Sequence, residues 1–280
     1  PNSWRGLDRA GELMIVMKCE DAPLVSVIMP LYNSAHHVCE AIRSVQSQTL
    51  DAWELCVTDD DSTDESADIV ATLAEKDQRI RLFRQGVNRG AAAARNNSLE
   101  KARGRYIAYL DADDLWAPEK LERQIAFMKQ GGYGFSCASY EVIGEDGGLL
   151  GKTVIMPAKS DLNGFLTNNY LQTVGIMADT DCVSIDLLHM PNLRRRQDAA
   201  TWIQVLRAGH DCYGLSEPLC YYRRTAGSLS SNKVKAVKGV WYLYRKVAGL
   251  ELPKACYCFV RYAFLAVWKR TYSKKTDNGI

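Results

Sequence analysis

Four predicted strands, each followed by a helical segment, restrict the fold of this chain more than any other feature. They cover residues 24–29, 53–58, 79–83 and 106–110; three of them are mostly apolar runs, and the segment 79–83 contains two arginines. Continuous apolar runs are typical of strands that are buried on both faces of a parallel sheet. Regular strand–helix alternation favours a doubly wound sheet with right-handed crossovers. We therefore predict an α/β fold with a Rossmann-like, mostly parallel sheet flanked by helices.

An acidic turn follows the last of these runs. Residues 106–110 lead directly into Asp111, Asp113 and Asp114, and Pro118 closes the turn. Ligands of open α/β sheets bind at the carboxyl ends of the strands. Mg²⁺ and Mn²⁺ are hard cations, and Mg²⁺ is commonly held by one or two carboxylates together with substrate phosphates. The turn therefore indicates a metal–diphosphate site, and the alternative is an acidic turn that caps the next helix.

Composition limits the class of protein without naming a partner. The chain has 280 residues, 47% of them apolar, which suits one large domain or one domain with an appendage. A net charge of +2 gives no reason to expect nucleic acid. The nine cysteines are scattered, several within apolar runs, which indicates reduced thiols. No apolar run is long enough to cross a bilayer, and no cleavable signal peptide is evident. We therefore predict a cytoplasmic protein that can also associate peripherally with the inner face of the cytoplasmic membrane.

The alternation of strands and helices fades after Gly131. Predicted strands cover residues 135–142, 149–155 and 217–224, and predicted helices cover residues 161–171 and 198–208. The predicted organisation is a flexible leader (1–21), one domain (22–230) and a helical tail (231–280). Within the domain, residues 22–130 form the nucleotide-binding half and residues 131–230 the acceptor and catalytic half.

Four motifs occur in a fixed order, each at the end of a strand or just beyond it. They are VSVIMPLYN (25–33), DDDSTD (59–64), NRG with ARN (88–96) and YLDADDLWAP (109–118). Together they resemble the inverting glycosyltransferases of family 2, which have a GT-A type fold, over about residues 23–230. The resemblance implies a metal-dependent transferase that uses Mn²⁺ or Mg²⁺ and a nucleotide-sugar, usually UDP-linked. The implied acceptor is a hydroxyl of a growing, lipid-linked bacterial polysaccharide such as O-antigen, capsule or exopolysaccharide.

The resemblance also assigns the nucleobase pocket. Pro30 and Tyr32, with Asn33 beside them, shape the pocket at the end of the first strand. Asp60 accepts a hydrogen bond from N3–H of uracil, a contact that suits a carboxylate because N3–H is the single donor between two acceptors.

Three further parts of the donor site follow from the same resemblance. Arg95 reaches the nucleotide or its phosphates, and the alternative is a solvated helix face. Asp111 and Ala112 face the ribose. Asp113 ligates the metal that bridges the diphosphate, and Asp114 supports it.

Catalysis by inversion needs a carboxylate that removes the proton of the acceptor hydroxyl. The family pattern places this base at Asp198, and the alternative is an N-cap for the helix that carries Trp202. Trp202 is a candidate sugar-stacking ring or a core residue, and Trp116 is a second candidate contact. Arg223 or Arg224 binds the donor phosphates, or both belong to a solvated basic turn.

Three positions depart from the family pattern. Asp61 stands where glycine is common, Gln197 where glutamate often precedes the base, and Ser98 where glycine is frequent. None of these changes removes a required charge.

The tail mixes aromatic residues with cations over residues 241–247 and 256–270. A helix of this composition can lie in a bilayer interface, attracted to anionic headgroups. Residues 233–270 therefore form a candidate membrane contact, and the alternatives are packing on the domain or a dimer contact.

Two other functional classes remain open at this point. A nucleotidyltransferase or nucleotide-sugar hydrolase can use a similar sheet, but a nucleotidyltransferase should carry a phosphate loop rich in glycine and basic residues after the first strand. This chain has Pro-Leu-Tyr-Asn at residues 30–33. A non-catalytic sugar-nucleotide-binding protein would keep its function without Asp198.

Overall fold

The computed structural model describes residues 22–168, 170–193, 195–224 and 233–272. Within these ranges it forms one ten-stranded sheet with helices packed on it, so the predicted α/β fold is confirmed. The strands are β1 (Val25–Leu31), β2 (Trp53–Asp59), β3 (Ile80–Arg84), β4 (Tyr106–Tyr109), β5 (Leu115–Trp116), β6 (Phe135–Ile143), β7 (Leu149–Val154), β8 (Lys159–Ser160), β9 (Ile176–Asp179) and β10 (Cys212–Arg223). The α-helices are α1 (Val38–Gln46), α2 (Ser66–Lys76), α3 (Ala91–Glu100), α4 (Lys120–Gly131), α5 (Leu162–Thr167), α6 (Gln197–Arg207), α7 (Lys233–Tyr242) and α8 (Leu252–Tyr272). The predicted leader, residues 1–21, lies outside the described residues.

The sheet is parallel in its first half and mixed in its second. Its strand order is β3-β2-β1-β4-β9-β6-β10-β5, with β7 paired to β6 and β8 to β10. Strands β1 to β4 pair in parallel, as the alternation predicts. Strand β9 runs antiparallel to both β4 and β6. Strands β9 and β5 are not predicted from the sequence, because strands of four and two residues carry too little periodicity to be recognised.

Strand β1 continues through Pro30 to Leu31, beyond the apolar run at residues 24–29. The N–H of Asp60 donates to the carbonyl oxygen of Leu31 on the β2 side (2.8 Å), so the preceding residue, Pro30, faces β4. Pairing of β4 with β1 stops at Tyr109. Proline has no N–H to donate, and here the missing donor falls at the open end of the sheet, where it interrupts no ladder.

Ser62 and Glu65, spaced three residues apart, predict a capping box at the start of α2, but the structure does not form one. The helix begins at Ser66, and Glu65 makes no side-chain cap. Ser62 instead accepts a hydrogen bond from the N–H of Asn33 (3.1 Å). Asp64 accepts from the N–H of Ser66 (3.0 Å). The Ser62 side chain therefore connects two loops instead of capping the helix.

A buried carboxylate secures the opposite, amino-terminal edge of the sheet. Glu54 accepts hydrogen bonds from Ser26 Oγ (2.7 Å), Arg81 Nη1 (2.7 Å), and the main-chain N–H (2.7 Å) and Nε (2.9 Å) of Arg103. Burial raises the pKa of Glu54, but these hydrogen bonds outweigh burial and lower it overall. The cluster joins β1, β2, β3 and the loop before β4, so the parallel half is fixed at the edge away from the acidic turn.

The helical tail is confirmed by α7 and α8, which are joined through a π-helical turn (Leu243–Val247). It packs on the domain, since Leu243, Tyr244 and Ala255 are buried. Among the described helices, none contains a stretch long and apolar enough to span a bilayer.

Lys120, the first residue of α4, is completely buried. Its ammonium lies 3.8 Å from the ring centroid of Trp116, and it makes no hydrogen bond to any residue the structure describes. Burial lowers the pKa of Lys120 to about 8. A buried ammonium without hydrogen bonds costs stability as long as it stays protonated.

We expect Lys120→Met to stabilise the protein at neutral pH. The shift from 10.5 to about 8 corresponds to a cost of about 3 kcal/mol below pH 8, partly offset by ~1 kcal/mol of cation–π attraction. Between pH 8 and 10.5 the unfolded chain binds a proton that the folded chain has lost, so this cost disappears as pH rises. Urea unfolding should show a gain of roughly 2 kcal/mol at pH 7 that shrinks by pH 10.

The exposed Lys129 on the same helix provides the control. Lys129→Met should leave the unfolding free energy unchanged at both pH values. Equal midpoints for wild type and Lys120→Met at pH 7 would contradict the assignment of a strained buried ammonium.

Candidate active site

The candidate site lies where the strand order reverses, between β1 and β4. This switch point is where open α/β sheets bind ligands, outside the carboxyl ends of the strands. Strands β1, β2 and β4 all end on the same edge of the sheet. The residues that follow them are those that the motifs single out, so the topology brings together three segments that are distant in sequence.

The loops after β1 and β2 are bound to each other by hydrogen bonds. Asn33 Oδ1 accepts from the N–H of Thr63 (2.8 Å), and Asp64 Oδ2 accepts from the N–H of Ala35 (3.1 Å). Asn33, predicted to bind nucleotide, therefore holds its loop in place. Pro30 is half-buried, and the Tyr32 side chain is 48% exposed, so its ring is open to a ligand.

Asp60 is buried beneath the loop that begins α3. Its two carboxylate oxygens accept from the N–H groups of Arg89 (2.7 Å) and Gly90 (2.8 Å). The next residue, Asp61, has φ +65°, in the left-handed region that glycine adopts without steric cost. This conformation explains why a glycine suits the position in related sequences.

Arg95 projects from α3 into the centre of the site and is buried, so it does not belong to a solvated helix face. Its Nη2 donates to Asp111 Oδ1. Burial alone lowers the pKa of Arg95, but the negative charges of Asp111 and Asp198 raise it overall. Arg95 therefore pairs with the residue predicted to face the ribose and lies within electrostatic range of the predicted base.

The neighbouring side chain, Asn96, positions the segment that leads to the base. Its Oδ1 accepts from the N–H of Met190 (2.8 Å) and its Nδ2 donates to the carbonyl oxygen of the same residue (2.8 Å). Ser98 hydrogen bonds with Thr58 at the end of β2 (2.7 Å between hydroxyl oxygens), which gives this departure from the family pattern a structural role. The motif drew attention to Asn96, but only the fold could show its partner, 94 residues away.

The acidic turn concentrates negative charge. Asp111 and Asp113 are half-buried, and Asp114 and Ala112 are buried. Burial, and then the charge of Asp111, raise the pKa of Asp113 to about 6. Burial together with the charges of Asp113 and Asp111 raises the pKa of Asp114 well above its usual value. A divalent cation would offset this repulsion.

The residues of the turn fit a metal that is shared with a substrate. Within the described part of the chain, no group of three or more His, Cys, Asp or Glu side chains is arranged to hold a metal ion. A cation held by Asp113 must therefore complete its shell with other oxygens, such as those of a diphosphate and water. Mg²⁺ is commonly bound in this way, by few carboxylates plus substrate phosphates.

Arg223, at the end of β10, is buried with 3% of its surface exposed, so it does not lie on a solvated turn. Its Nε donates to the carbonyl oxygen of Asp113 (2.7 Å) and its Nη1 to that of Glu145 (2.8 Å). Its Nη2 donates to Glu40 Oε2 (2.8 Å), and its main-chain N–H to Asp114 Oδ1 (2.8 Å). Arg223 thus ties the acidic turn to α1, β10 and the β6–β7 turn. The exposed Arg224 remains the candidate for donor phosphates.

Both tryptophans considered as sugar contacts belong to the core. The core alternative therefore holds for Trp202, and the predicted contact of Trp116 is wrong. Trp116 is 3% exposed, and its Nε1 donates to the carbonyl oxygen of Val174 (2.8 Å). Trp202 is fully buried and packs edge-on against Tyr109, with ring centroids 5.5 Å apart. Neither ring offers a face to a sugar.

Asp198 lies in the first turn of α6 and is half-buried. The N-cap position belongs to Arg196, which has φ +63° and makes no side-chain cap, so the capping alternative for Asp198 is wrong. Gln197 is the first helical residue. Asp198 is close enough to Arg95 for its charge to raise the pKa of that residue.

The comparisons with known proteins decide the family. The model described as Glycosyl transferase family 2 matches residues 26–186. A Bacillus subtilis (strain 168) protein provisionally described as teichuronic acid biosynthesis glycosyltransferase TuaG is 41% identical over 248 residues, covering 89% of this chain and 98% of the relative. The chain belongs to glycosyltransferase family 2. Escherichia coli WfgD, named a UDP-Glc:alpha-D-GlcNAc-diphosphoundecaprenol beta-1,3-glucosyltransferase, is 34% identical to this family 2 chain over 259 residues, covering 91% of this chain and 98% of WfgD.

Solved structures confirm the GT-A fold of this family 2 glycosyltransferase. Staphylococcus aureus TarS 1–349 in complex with UDP has a TM-score of 0.64 at 18% identity, covering 89% of this chain and 72% of that chain. The mannosyltransferase PcManGT from Pyrobaculum calidifontis, in complex with GDP-Man and Mn²⁺, has a TM-score of 0.65 at 19% identity, covering 90% and 77%. At these identities the likeness shows the fold alone. Family membership sets aside the nucleotidyltransferase, hydrolase and non-catalytic alternatives.

Proposed function

We propose that this glycosyltransferase transfers a sugar, with inversion and with a divalent metal, from a UDP-sugar to a saccharide hydroxyl. The observation that carries the proposal is the buried Arg95, which pairs with Asp111 and lies within electrostatic range of Asp198. The residue assigned to the nucleotide and the residue assigned to the acceptor therefore act on the same cation. A sugar bound at the carboxyl end of β4 would lie near that cation.

The donor contacts combine open and buried groups. Tyr32 offers its exposed ring to the uracil, beside Pro30 and Asn33. Asp60 forms the floor of the pocket. Its Oδ1 accepts from the N–H of Arg89 and from Gln85 Nε2 (3.4 Å), while its Oδ2 keeps a lone pair beyond the hydrogen bond from Gly90. TarS, of similar fold, has been solved with UDP and with UDP-GlcNAc, which supports a uridine donor.

The rest of the donor lies over the acidic turn. Asp111 faces the ribose beside Ala112, and Asp113, supported by Asp114, holds Mn²⁺ or Mg²⁺. The bound metal would neutralise the charge that develops on the leaving diphosphate. Arg224 pairs with a phosphate oxygen.

The chemical step needs one proton transfer. Asp198 accepts the proton of the acceptor hydroxyl as that oxygen bonds to C1 of the sugar. The bond between C1 and the diphosphate oxygen breaks at the same time, and UDP leaves from the opposite face of the sugar.

The acceptor is proposed to be a growing, lipid-linked bacterial surface polysaccharide. The name of WfgD specifies a diphosphoundecaprenol-linked acceptor, and that of TuaG specifies teichuronic acid biosynthesis. Such an acceptor places the enzyme at the inner face of the cytoplasmic membrane, with residues 22–230 as the transferase domain. The halves 22–130 and 131–230 serve donor and acceptor, and residues 233–270 contact the membrane.

A panel of UDP-sugars and GDP-mannose tests the proposal. We expect Mn²⁺-dependent release of nucleoside diphosphate from one UDP-sugar, and a loss of at least 100-fold in Asp113→Asn because the metal loses its protein ligand. The exposed Asp161, changed to Asn, is the matched control and should not alter release. Release from GDP-mannose alone would overturn the uridine assignment, and no binding of any nucleotide with Mn²⁺ would overturn the site.

A further inference from the structure

Helix α8 has two apolar faces, and only one of them packs on the domain. Ala255 and Cys258 on the inner face are buried. Phe259 on the same face meets Trp241 of α7 edge-on, with ring centroids 5.6 Å apart. These contacts anchor the helix, so its orientation relative to the domain is set by packing.

The outer face of α8, formed by Tyr257, Val260 and Phe264, is apolar but exposed. These side chains are 60%, 66% and 59% exposed. Their spacing of three and four residues aligns them along one side of the helix. Lys254 and Arg261 border this side and are exposed as well. Exposed apolar residues that lie in line, with cations along their border, indicate an interaction surface.

Charge limits what can cover the outer face of α8. Residues 233–272 contain nine lysine and arginine residues and a single acidic one, Glu251, in a chain whose net charge is only +2. A symmetric contact between two copies would bring the same basic surface together twice, and like charges oppose such a contact. A negatively charged partner that also accepts apolar side chains matches the surface, and an anionic bilayer has both properties.

We propose that the outer face of α8 inserts into the headgroup region of an anionic bilayer. Tyr257, Val260 and Phe264 enter the boundary of the acyl chains, while Lys254 and Arg261 pair with lipid phosphates. Because α8 is packed against the domain, this contact fixes the distance of the active site from the bilayer. The inference rests on the proposed function, since a lipid-linked acceptor is presented at that surface.

Flotation of the full chain with vesicles tests this proposal. We expect recovery with vesicles containing phosphatidylglycerol, little recovery with phosphatidylcholine alone, and reduced recovery at high salt. Val260→Glu should lower the bound fraction at least tenfold, because it places a carboxylate within the apolar face. Arg261→Glu should also lower it, by removing an attraction to the headgroups.

Leu150→Glu is the matched control, because Leu150 is an exposed leucine (53%) on β7, outside the tail. It should float like the wild type. Mn²⁺-dependent UDP binding should be the same in all variants, so failure of the membrane contact is distinguishable from failure of the active-site assignment. Equal flotation of Val260→Glu and wild type would overturn the proposal. The proposal would also be overturned if the wild-type chain formed a dimer that did not float with vesicles and if Val260→Glu converted that dimer to monomers.

Discussion

Asp198→Asn is expected to lower the rate of sugar transfer by two to four orders of magnitude, the usual contribution of a general base. Asparagine keeps the shape of the side chain but does not accept the hydroxyl proton. Folding should be preserved, because Asp198 is half-buried in the first turn of α6 and makes no cap. The partner of Arg95 at Asp111 also remains in place.

The decisive comparison is between transfer and donor binding. Titration with UDP and Mn²⁺ should give the same affinity for Asp198→Asn and wild type, while turnover falls. The exposed Asp186 of the preceding segment supplies the control, and Asp186→Asn should turn over normally. A loss of only a few fold would show that Asp198 merely balances the charge of Arg95. A loss of UDP affinity equal to the loss of turnover would place Asp198 in the donor site.

The sequence predicted the parallel half of the sheet and the positions of the motifs, because both depend on local patterns. Apolar runs mark β1, β2 and β4, and a short segment of alternating basic and apolar residues marks β3. The polar residues that follow these strands lie at the carboxyl ends, where open α/β sheets bind ligands. The mixed half of the sheet was harder to predict from the sequence, because β9 is four residues long and is recognisable only from its partners β4 and β6.

Within the site, side-chain type was predictable but side-chain environment was not. A tryptophan serves equally in a core or beneath a sugar, and only packing shows that Trp116 and Trp202 are buried. Likewise, an arginine after a strand suits a phosphate. Arg223 meets Glu40 across 183 residues of sequence, a contact that no local pattern records.

Arg223→Lys is expected to lower the free energy of unfolding by about 3 kcal/mol and to weaken the metal-dependent binding of the donor about tenfold. The guanidinium donates to the carbonyl oxygens of Asp113 and Glu145 and to the carboxylate of Glu40 at once. A lysine ammonium presents its donors from a single point and cannot reach all three. The substitution keeps the charge, so the effect reports the geometry of the fork.

Unfolding in urea and titration of Mn²⁺ with UDP measure the two effects separately, and Arg224→Lys is the matched control. Arg224 is exposed, and its recorded hydrogen bond uses the main-chain N–H, which donates to Ile143 (3.0 Å) and survives the change. Its stability should be unchanged, while its affinity for the donor falls modestly if Arg224 contacts phosphate. Equal stability of Arg223→Lys and wild type would show that the acidic turn keeps its structure without the hydrogen bonds of the Arg223 guanidinium. Arg223 holds the carbonyl oxygen of Asp113. A loss of stability without a loss of metal-dependent binding would therefore show that Arg223 does not position Asp113 for the metal.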